Sequence, residues 1–209
     1  QPGRFQQSAA ESSFDAWIKY YRQDENSPNA LVSYYAKGAL FALCVDLTIR
    51  RETSGLQSLD DVMRALWQQF GQQFSLKQQG IAEDEWEQIA QQVTGVDLIN
   101  LFELGLRSTA ELPLRELLAE VGVEWQQRAA VSQADKGGWL DIINQPNACI
   151  GAKTIADAAG IKVSNVFTGG AAEIAGLSAG DVLFAWDGLR LTASNYDQFL
   201  SSAHSGQQV

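Results

Sequence analysis

The spacing of apolar residues predicts a series of helices over residues 14–120. The first four apolar positions recur at i, i+3, i+4 and i+7, which places them together on one face of a helix. They are Phe14, Trp17, Ile18 and Tyr21. A longer helix is predicted to begin after Ser33 and to end at about Arg51. The residues expected along its apolar stripe are Leu40, Leu43, Cys44 and Leu47.

Polar residues mark the starts of further helices. Ser58 is followed three positions later by Asp61, a variant of the capping box in which the two residues satisfy free backbone amides. Pro113 suits the first turn of another helix, because its fixed backbone angle is already helical. An acidic run at residues 83–85 suits the positive end of a helix dipole. These signals predict that residues 1–122 form a helical bundle or part of one.

The periodicity changes after Gly122, where glycine and asparagine become frequent. Residues 123–136 are predicted to be a linker, and residues 137–209 a compact domain of short strands with two helices. The fold class predicted for the chain is α+β, an all-helical domain followed by a small β-rich domain. Strands are expected over residues 161–167 and 182–186, and a helix over residues 195–203.

Composition restricts the partners that the chain could have. Its net charge of -10 and pI near 4.5 argue against a nucleic-acid partner, because binding to phosphates needs clustered Lys and Arg. The longest apolar run, residues 39–45, is too short to span a bilayer, so we expect a soluble chain with no membrane partner. Cys44 and Cys149 fall in different predicted domains, which favours buried free thiols over a disulfide.

The run Phe167–Gly188 is the most distinctive motif of the chain, because a glycine pair ends a strand and Gly180-Asp181 opens the next one. This order resembles a PDZ domain of the bacterial protease-associated type. The resemblance implies that peptide or protein C-termini add as a strand to a sheet edge, where loop amides receive the terminal carboxylate. The implied binding residues are Ile150, Gly151 and Ala152 in the loop, and Tyr196, Phe199 and Leu200 on a helix wall.

The loop residue Gly151 has a physical reason to bind a ligand, whereas two of the helix residues have an alternative role. A ligand can approach the Gly151 backbone closely, because glycine carries no Cβ. Phe199 and Leu200 fit equally well as ordinary core residues of the small domain.

Tyr35-Ala36-Lys37-Gly38, at the start of the longest predicted helix, resembles a motif of zinc aminopeptidases of the gluzincin group. In those enzymes the tyrosine hydroxyl donates a hydrogen bond to the oxyanion of the tetrahedral intermediate. The resemblance makes Tyr35 the candidate catalytic residue, with Lys37 structural and Gly38 permitting close helix packing. The alternative is that Tyr35 only packs on an amphipathic helix.

The order of the longer segments widens this resemblance. Residues 32–40, 46–50 and 58–67, followed by the PDZ-like region, resemble the glycyl aminopeptidase (M61) family. Family members join an N-terminal β-rich domain, a thermolysin-like zinc catalytic domain and a C-terminal PDZ domain. The resemblance implies that residues 1–122 are the helical C-terminal part of the catalytic domain. It also implies a parent protein that removes small N-terminal residues from peptides.

The zinc-binding motif of that family, His-Glu-x-x-His, does not occur in the chain, whose one histidine is His204. We therefore expect zinc in the full-length parent but no metal site in this fragment, which alone would be inactive. The other hypothesis is a non-catalytic PDZ adaptor that binds peptide or protein partners. Under both hypotheses the PDZ-like domain stops early at Val209, so an unpaired sheet edge and weak self-association are expected.

Overall fold

The computed structural model describes residues 2–72, 74–78, 80–83, 85–128, 130, 135–139, 148–204 and 206–208. The chain divides into two compact units. The helical unit comprises residues 4–21 and 31–125, and the sheet unit comprises residues 1–3, 22–30 and 126–209. Helices and small antiparallel sheets make up these units, so the architecture is α+β, as the periodicity predicts.

The helices are numbered in chain order. Those of the helical unit are α1 (Ala9–Phe14), α3 (Tyr34–Glu52), α4 (Leu59–Leu66), α5 (Phe74–Lys77), α6 (Glu85–Thr94), α7 (Ile99–Phe102) and α8 (Leu114–Glu120). Those of the sheet unit are α2 (Ser27–Ala30), α9 (Ala171–Ile174) and α10 (Tyr196–Ser202). A short 3₁₀ helix forms at Pro2–Phe5, and π-helical turns follow α1, α4 and α7 at Ala16–Tyr20, Trp67–Gly71 and Glu103–Arg107.

Two of the predicted helix starts are confirmed. The Ser33 hydroxyl accepts a hydrogen bond from the Ala36 amide (3.2 Å) and caps α3. At α4 the Asp61 carboxylate accepts hydrogen bonds from the Ser58 amide (2.8 Å) and hydroxyl (3.1 Å). Residue 84 of the predicted acidic run lies outside the described residues.

Helix α3 supplies the centre of the helical unit, and its predicted apolar stripe is buried in part. Cys44 is buried and Leu47 packs with it in a cluster with Leu114 and Leu117, whereas Leu40 and Leu43 are exposed. The main core takes other residues of α3, namely Phe41, Val45 and Ile49. The neighbouring helices and the loop between α6 and α7 complete this core with Val62, Ala90, Val96, Leu98 and Phe102.

The N-terminal half of α3 packs on the π-helical turn Glu103–Arg107. A Cβ on Gly105 would lie 2.2 Å from the Phe41 ring, so only glycine permits this contact. The Lys37 ammonium donates a hydrogen bond to the Ser108 carbonyl (2.9 Å), at the end of the same turn. Burial lowers the pKa of Lys37, against an opposing effect of the Glu111 charge. These two contacts set the rotation of α3 about its own axis.

The close-packing role predicted for Gly38 is wrong. A Cβ on Gly38 would meet no atom of the described residues within 4 Å. Gly105, which lies far away in sequence, makes the close approach instead.

The stretch Ser27–Glu52 is long and apolar enough, by length and composition, to cross a membrane, contrary to the expectation from residues 39–45. A core helix of a globular domain can have the same length and composition. Within this stretch Phe41, Val45 and Ile49 form the core of the helical unit.

The sheet unit contains two small antiparallel sheets. In the first, β1 (Ala152–Ala156), β2 (Ile161–Val166) and β3 (Val182–Leu183) lie in the order β1-β2-β3. The second pairs β4 (Ala185–Trp186) with β5 (Leu189–Arg190). The core beside these sheets consists of Ile161, Leu191 and Tyr196, with Leu183, Trp186, Phe199 and Leu200 packed against it.

The segment 22–30 belongs to the sheet unit, although it lies within the predicted helical domain. The Asn29 side-chain amide donates a hydrogen bond to the Val166 carbonyl (2.8 Å) and accepts one from the Thr168 amide (3.0 Å). It thereby bonds to the end of β2 as a neighbouring strand would. The Asn165 side chain adds a hydrogen bond to the Glu25 carbonyl (3.0 Å). Sequence periodicity cannot predict such a contact, because the partners are more than 130 residues apart.

We expect Gly105→Ala to lower the free energy of unfolding of the helical unit by about 1–3 kcal/mol, because the added methyl group overlaps the Phe41 ring. Gly38→Ala is the matched control. It should raise the free energy of unfolding by about 0.5–1 kcal/mol, because alanine favours the helix and meets no neighbour. Denaturant unfolding of both variants checks this, and equal effects would contradict the packing of α3 on Gly105.

We expect Asn29→Ala to destabilise the sheet unit by about 1 kcal/mol, because the Val166 carbonyl and Thr168 amide lose their partner. Hydrogen exchange of the Thr168 amide should become faster. Asn26→Ala is the control, since the Asn26 side chain accepts only from the Asn29 side chain in the same segment (3.1 Å). The same Thr168 exchange rate in both variants would contradict the contact.

Candidate functional site

Four of the five tyrosines of the chain form one cluster in the helical unit. Tyr20 and Tyr21 lie at the end of the π-helical turn Ala16–Tyr20, and Tyr34 and Tyr35 begin α3. The Tyr34 and Tyr35 ring centroids are 4.2 Å apart, and the Tyr20 ring lies 5.2 Å from that of Tyr34. We call these four residues the tyrosine cluster.

The hydroxyl groups of the cluster are joined through Tyr21. Its oxygen lies 2.8 Å from that of Tyr35 and 3.1 Å from that of Tyr34. The Tyr20 hydroxyl takes no part in this chain of bonds and instead pairs with the Ser33 hydroxyl (3.1 Å). Hydrogen bonding, to Tyr21 first and to Tyr34 second, lowers the pKa of Tyr35. The hydrogen bond with Tyr21 is also the main cause of the raised pKa of Tyr34.

The π-helical turn explains why the first predicted helix is wrong. The Tyr21 amide donates to the Ala16 carbonyl (3.0 Å), five residues earlier, in place of the four-residue bond of an α-helix. One extra residue in the turn rotates the later side chains by about 100° around the helix axis. Tyr21 consequently leaves the regular spacing that puts it on one α-helical face with Phe14 and Trp17, whose surfaces are 88% and 81% exposed.

Large apolar side chains on the same two segments as the tyrosine cluster are exposed, and together we call them the aromatic face. A patch of large exposed apolar side chains on a folded domain commonly marks an interaction site. Tyr35 itself is 60% exposed. The large side chains of the aromatic face are Phe14, Trp17, Ile18, Tyr21, Tyr35, Leu40 and Leu43.

Tyr35 lies in the first turn of α3, about 200° around the helix axis from Lys37. The Lys37 ammonium is held at the Ser108 carbonyl. Lys37, which the resemblance to zinc aminopeptidases marks as structural, thus anchors this end of the helix. Sequence reasoning found Tyr35 by its motif but missed Tyr21 and Tyr34. The signal that could have found them is the pair of Tyr-Tyr dipeptides at 20–21 and 34–35.

The described residues do not bring together three His, Cys, Asp or Glu side chains that could hold a metal ion. His204 is exposed near the end of the sheet unit. Cys44 is buried, and burial raises the pKa of its thiol to about 11. Cys149 is exposed, contrary to the expectation that both thiols are buried.

The loop that resembles a carboxylate-binding loop is tightly packed on the turn before α9. Gly151 has a positive φ of 71°, and a Cβ there would lie 2.7 Å from the Gly170 Cα. The Ile150 carbonyl accepts from the Ala172 amide (2.7 Å), and the Gly151 carbonyl accepts from the Phe167 amide (2.8 Å). Both carbonyls of the loop are therefore occupied.

Strand β1, which begins at Ala152, pairs only with β2 among the described strands, so its other side is a sheet edge. The residues expected on the helix wall lie in α10. Tyr196 is only 4% exposed, and its hydroxyl hydrogen-bonds the buried Thr154 of β1. Burial raises the pKa of Tyr196. Phe199 stacks on Trp186 with ring centroids 5.8 Å apart, and Leu200 packs on the same core.

Comparison with known proteins places the chain in a family. The profile described as M61 glycyl aminopeptidase matches residues 1–41. The structure also superposes on the crystal structure of an aminopeptidase N family protein from Idiomarina loihiensis, with a TM-score of 0.87 and 39% sequence identity over 98% of this chain. Together the two matches support the assignment of the chain to the M61 family. It spans 34% of the length of the Idiomarina protein, and no curated protein matches it.

The M61 profile ends within α3, so it contains the whole tyrosine cluster and most of the aromatic face. The residues that match the M61 profile thus include Tyr35 and its hydroxyl partners.

Proposed function

We propose that the chain is part of a zinc-dependent M61 aminopeptidase in which Tyr35 donates a hydrogen bond to the oxyanion of the tetrahedral intermediate. The observation that carries this proposal is the exposed Tyr35 hydroxyl, held 2.8 Å from Tyr21 within the residues that match the M61 profile. The sheet unit serves in the proposal as a PDZ-like module that binds peptide ends.

The position of Tyr35 supports a chemical role over a packing role. A tyrosine that stabilises a helical core buries its ring, whereas the Tyr35 ring lies among exposed apolar side chains. The residues of α3 that lie in the main core are Phe41, Val45 and Ile49, about two to four turns further along the helix. Tyr35 is therefore available to a substrate or to another polypeptide surface.

The chemistry needs a fixed donor at the point where charge develops. Attack of water on a peptide carbonyl converts its oxygen to an oxyanion, and a donor about 2.7–3.1 Å away stabilises that charge more than the neutral carbonyl. A phenol hydroxyl can act as this donor without giving up its proton. Hydrogen bonding that lowers the pKa of Tyr35 also makes its hydroxyl a stronger donor.

Zinc enters the proposal from the family, since the described residues do not fit a zinc site. The ion would activate the attacking water and would be held by residues other than those described. The proposed substrates are peptides with small N-terminal residues, as the family name glycyl aminopeptidase suggests.

The peptide-binding part of the proposal rests on the edge of β1 and on the loop before it. An extended peptide can add to an exposed strand edge, and a glycine loop can offer its amides to a carboxylate. Ile150, Gly151 and Ala152 supply those amides in the proposal. Phe199 and Leu200 would support the groove from the core, and the buried Tyr196 would hold α10 to β1 through Thr154.

Tyr35→Phe should lower kcat on a glycyl peptide by about 100- to 1,000-fold, because it removes one oxyanion donor. The measurement is steady-state turnover by the complete polypeptide that the gene encodes, after loading with zinc. Tyr20→Phe is the control, since its hydroxyl contacts Ser33 and not Tyr35. Equal turnover by both variants would contradict the role of Tyr35. A zinc-treated polypeptide with no peptidase activity would favour the non-catalytic adaptor.

The sheet unit should bind a short peptide with an apolar last residue and a free carboxylate at least about tenfold more tightly than the same peptide amidated, because charge-assisted hydrogen bonds are lost. Amide signals of Ile150, Gly151 and Ala152 in NMR spectra should shift only with the free carboxylate. Equal binding of both peptides, or shifts confined to other residues, would contradict the PDZ-like role.

A further inference from the structure

The hydroxyl groups of Tyr21, Tyr34 and Tyr35 carry three protons, and the Tyr21 oxygen lies within hydrogen-bond distance of the other two. Tyr21 lies between the other two and can donate to one of them only, because a phenol has a single proton. If Tyr21 donates to Tyr35, it accepts from Tyr34, and the Tyr35 proton is left for an external acceptor. If it donates to Tyr34, it accepts from Tyr35, and the spare proton lies on Tyr34.

We propose that Tyr21 is a positioning residue that donates its hydrogen bond to the Tyr35 oxygen and so directs the Tyr35 proton outward, toward the oxyanion. The order of donation is Tyr34 to Tyr21, Tyr21 to Tyr35, and Tyr35 to the substrate. This inference rests on the proposed function of Tyr35 and adds to it the residues that orient the hydroxyl.

Exposure decides between the two directions of donation. The Tyr35 ring is 60% exposed, whereas Tyr34 is half-buried against Tyr20 and Tyr35. An external acceptor can reach the hydroxyl of the more exposed ring. The shorter of the two bonds also joins Tyr21 to Tyr35, at 2.8 Å against 3.1 Å to Tyr34.

Hydrogen bonding shifts the pKa values of the two tyrosines in opposite directions. Accepting a hydrogen bond stabilises a phenolate, and the pKa of Tyr35 is lowered chiefly by Tyr21. Donating a hydrogen bond stabilises the neutral phenol, and the pKa of Tyr34 is raised chiefly by the same partner. Tyr21 and Tyr34 are the titratable groups that act on Tyr35, together with an opposing effect of burial.

The π-helical turn is the structural device that places Tyr21. Its bond from the Tyr21 amide to the Ala16 carbonyl turns Tyr21 toward the start of α3. The Tyr21 ring contacts the Trp17 and Tyr20 rings of the same segment, with ring centroids 5.3 Å and 5.5 Å apart, and these contacts hold it against that segment. These contacts are made by the ring, so removal of the hydroxyl alone leaves them in place. Tyr21→Phe and Tyr20→Phe are therefore a matched pair of neighbouring variants.

The direct test follows tyrosinate formation by ultraviolet absorbance as the pH of the 209-residue chain is raised. Subtraction of the matching Tyr35→Phe titration isolates Tyr35 in each background. Tyr21→Phe should raise the pKa of Tyr35, because the donor that stabilises the phenolate is gone. Tyr20→Phe should leave it unchanged. An unchanged or lower pKa of Tyr35 in Tyr21→Phe would overturn the proposal, whatever the enzyme does.

The kinetic test uses the complete zinc-loaded polypeptide. Tyr21→Phe should lower kcat by up to about tenfold, the effect of one neutral hydrogen bond, with KM unchanged. In a Tyr35→Phe background the same change should have no further effect, because Tyr21 acts through Tyr35. If Tyr35→Phe is impaired while Tyr21→Phe matches Tyr20→Phe, the inference fails and the proposed function stands. If Tyr35→Phe retains full turnover, both fail.

Discussion

The contact between the Phe41 ring and Gly105, with the hydrogen bond from Lys37 to Ser108 beside it, determines how α3 is rotated within the helical unit. The rotation has two consequences. It buries Val45 and Ile49 in the core, and it leaves Tyr35, in the first turn of the helix, exposed. The candidate chemistry at the start of α3 therefore depends on packing one to two turns further along the same helix.

Much of the fold could be predicted from local signals. The bounds of α3, the cap at Ser58 and the change to an α+β pattern all follow from side chains close together in sequence. The buried face of α3 could be predicted only in part: Cys44 and Leu47 pack as expected, but the contact of Phe41 with Gly105 joins residues more than 60 positions apart and carries no periodic signal. The first predicted helix is wrong for a local reason, since a π-helical turn leaves no trace in apolar spacing.

The candidate site likewise has one part that local sequence predicts and another that depends on distant contacts. Tyr35 is predicted from a four-residue motif, and its exposure fits a role outside the core. The contribution of Tyr21 depends on a bend in the chain between residues 21 and 34, which brings two tyrosine pairs together. The segment within that bend, residues 22–30, bonds through Asn29 to the end of β2 in the sheet unit. A division of the sequence into consecutive domains therefore misses how the two units share the chain.

In the proposed mechanism the Tyr35 hydroxyl donates to the oxyanion, and Tyr21 orients the Tyr35 hydroxyl. The most direct measurement is a crystal structure of the complete polypeptide bound to a phosphinic peptide, which imitates the tetrahedral intermediate. We expect the Tyr35 hydroxyl to lie about 2.7–3.1 Å from a phosphinyl oxygen and to keep its hydrogen bond with Tyr21. A bound inhibitor whose oxygens all lie beyond hydrogen-bond distance of Tyr35 would contradict it.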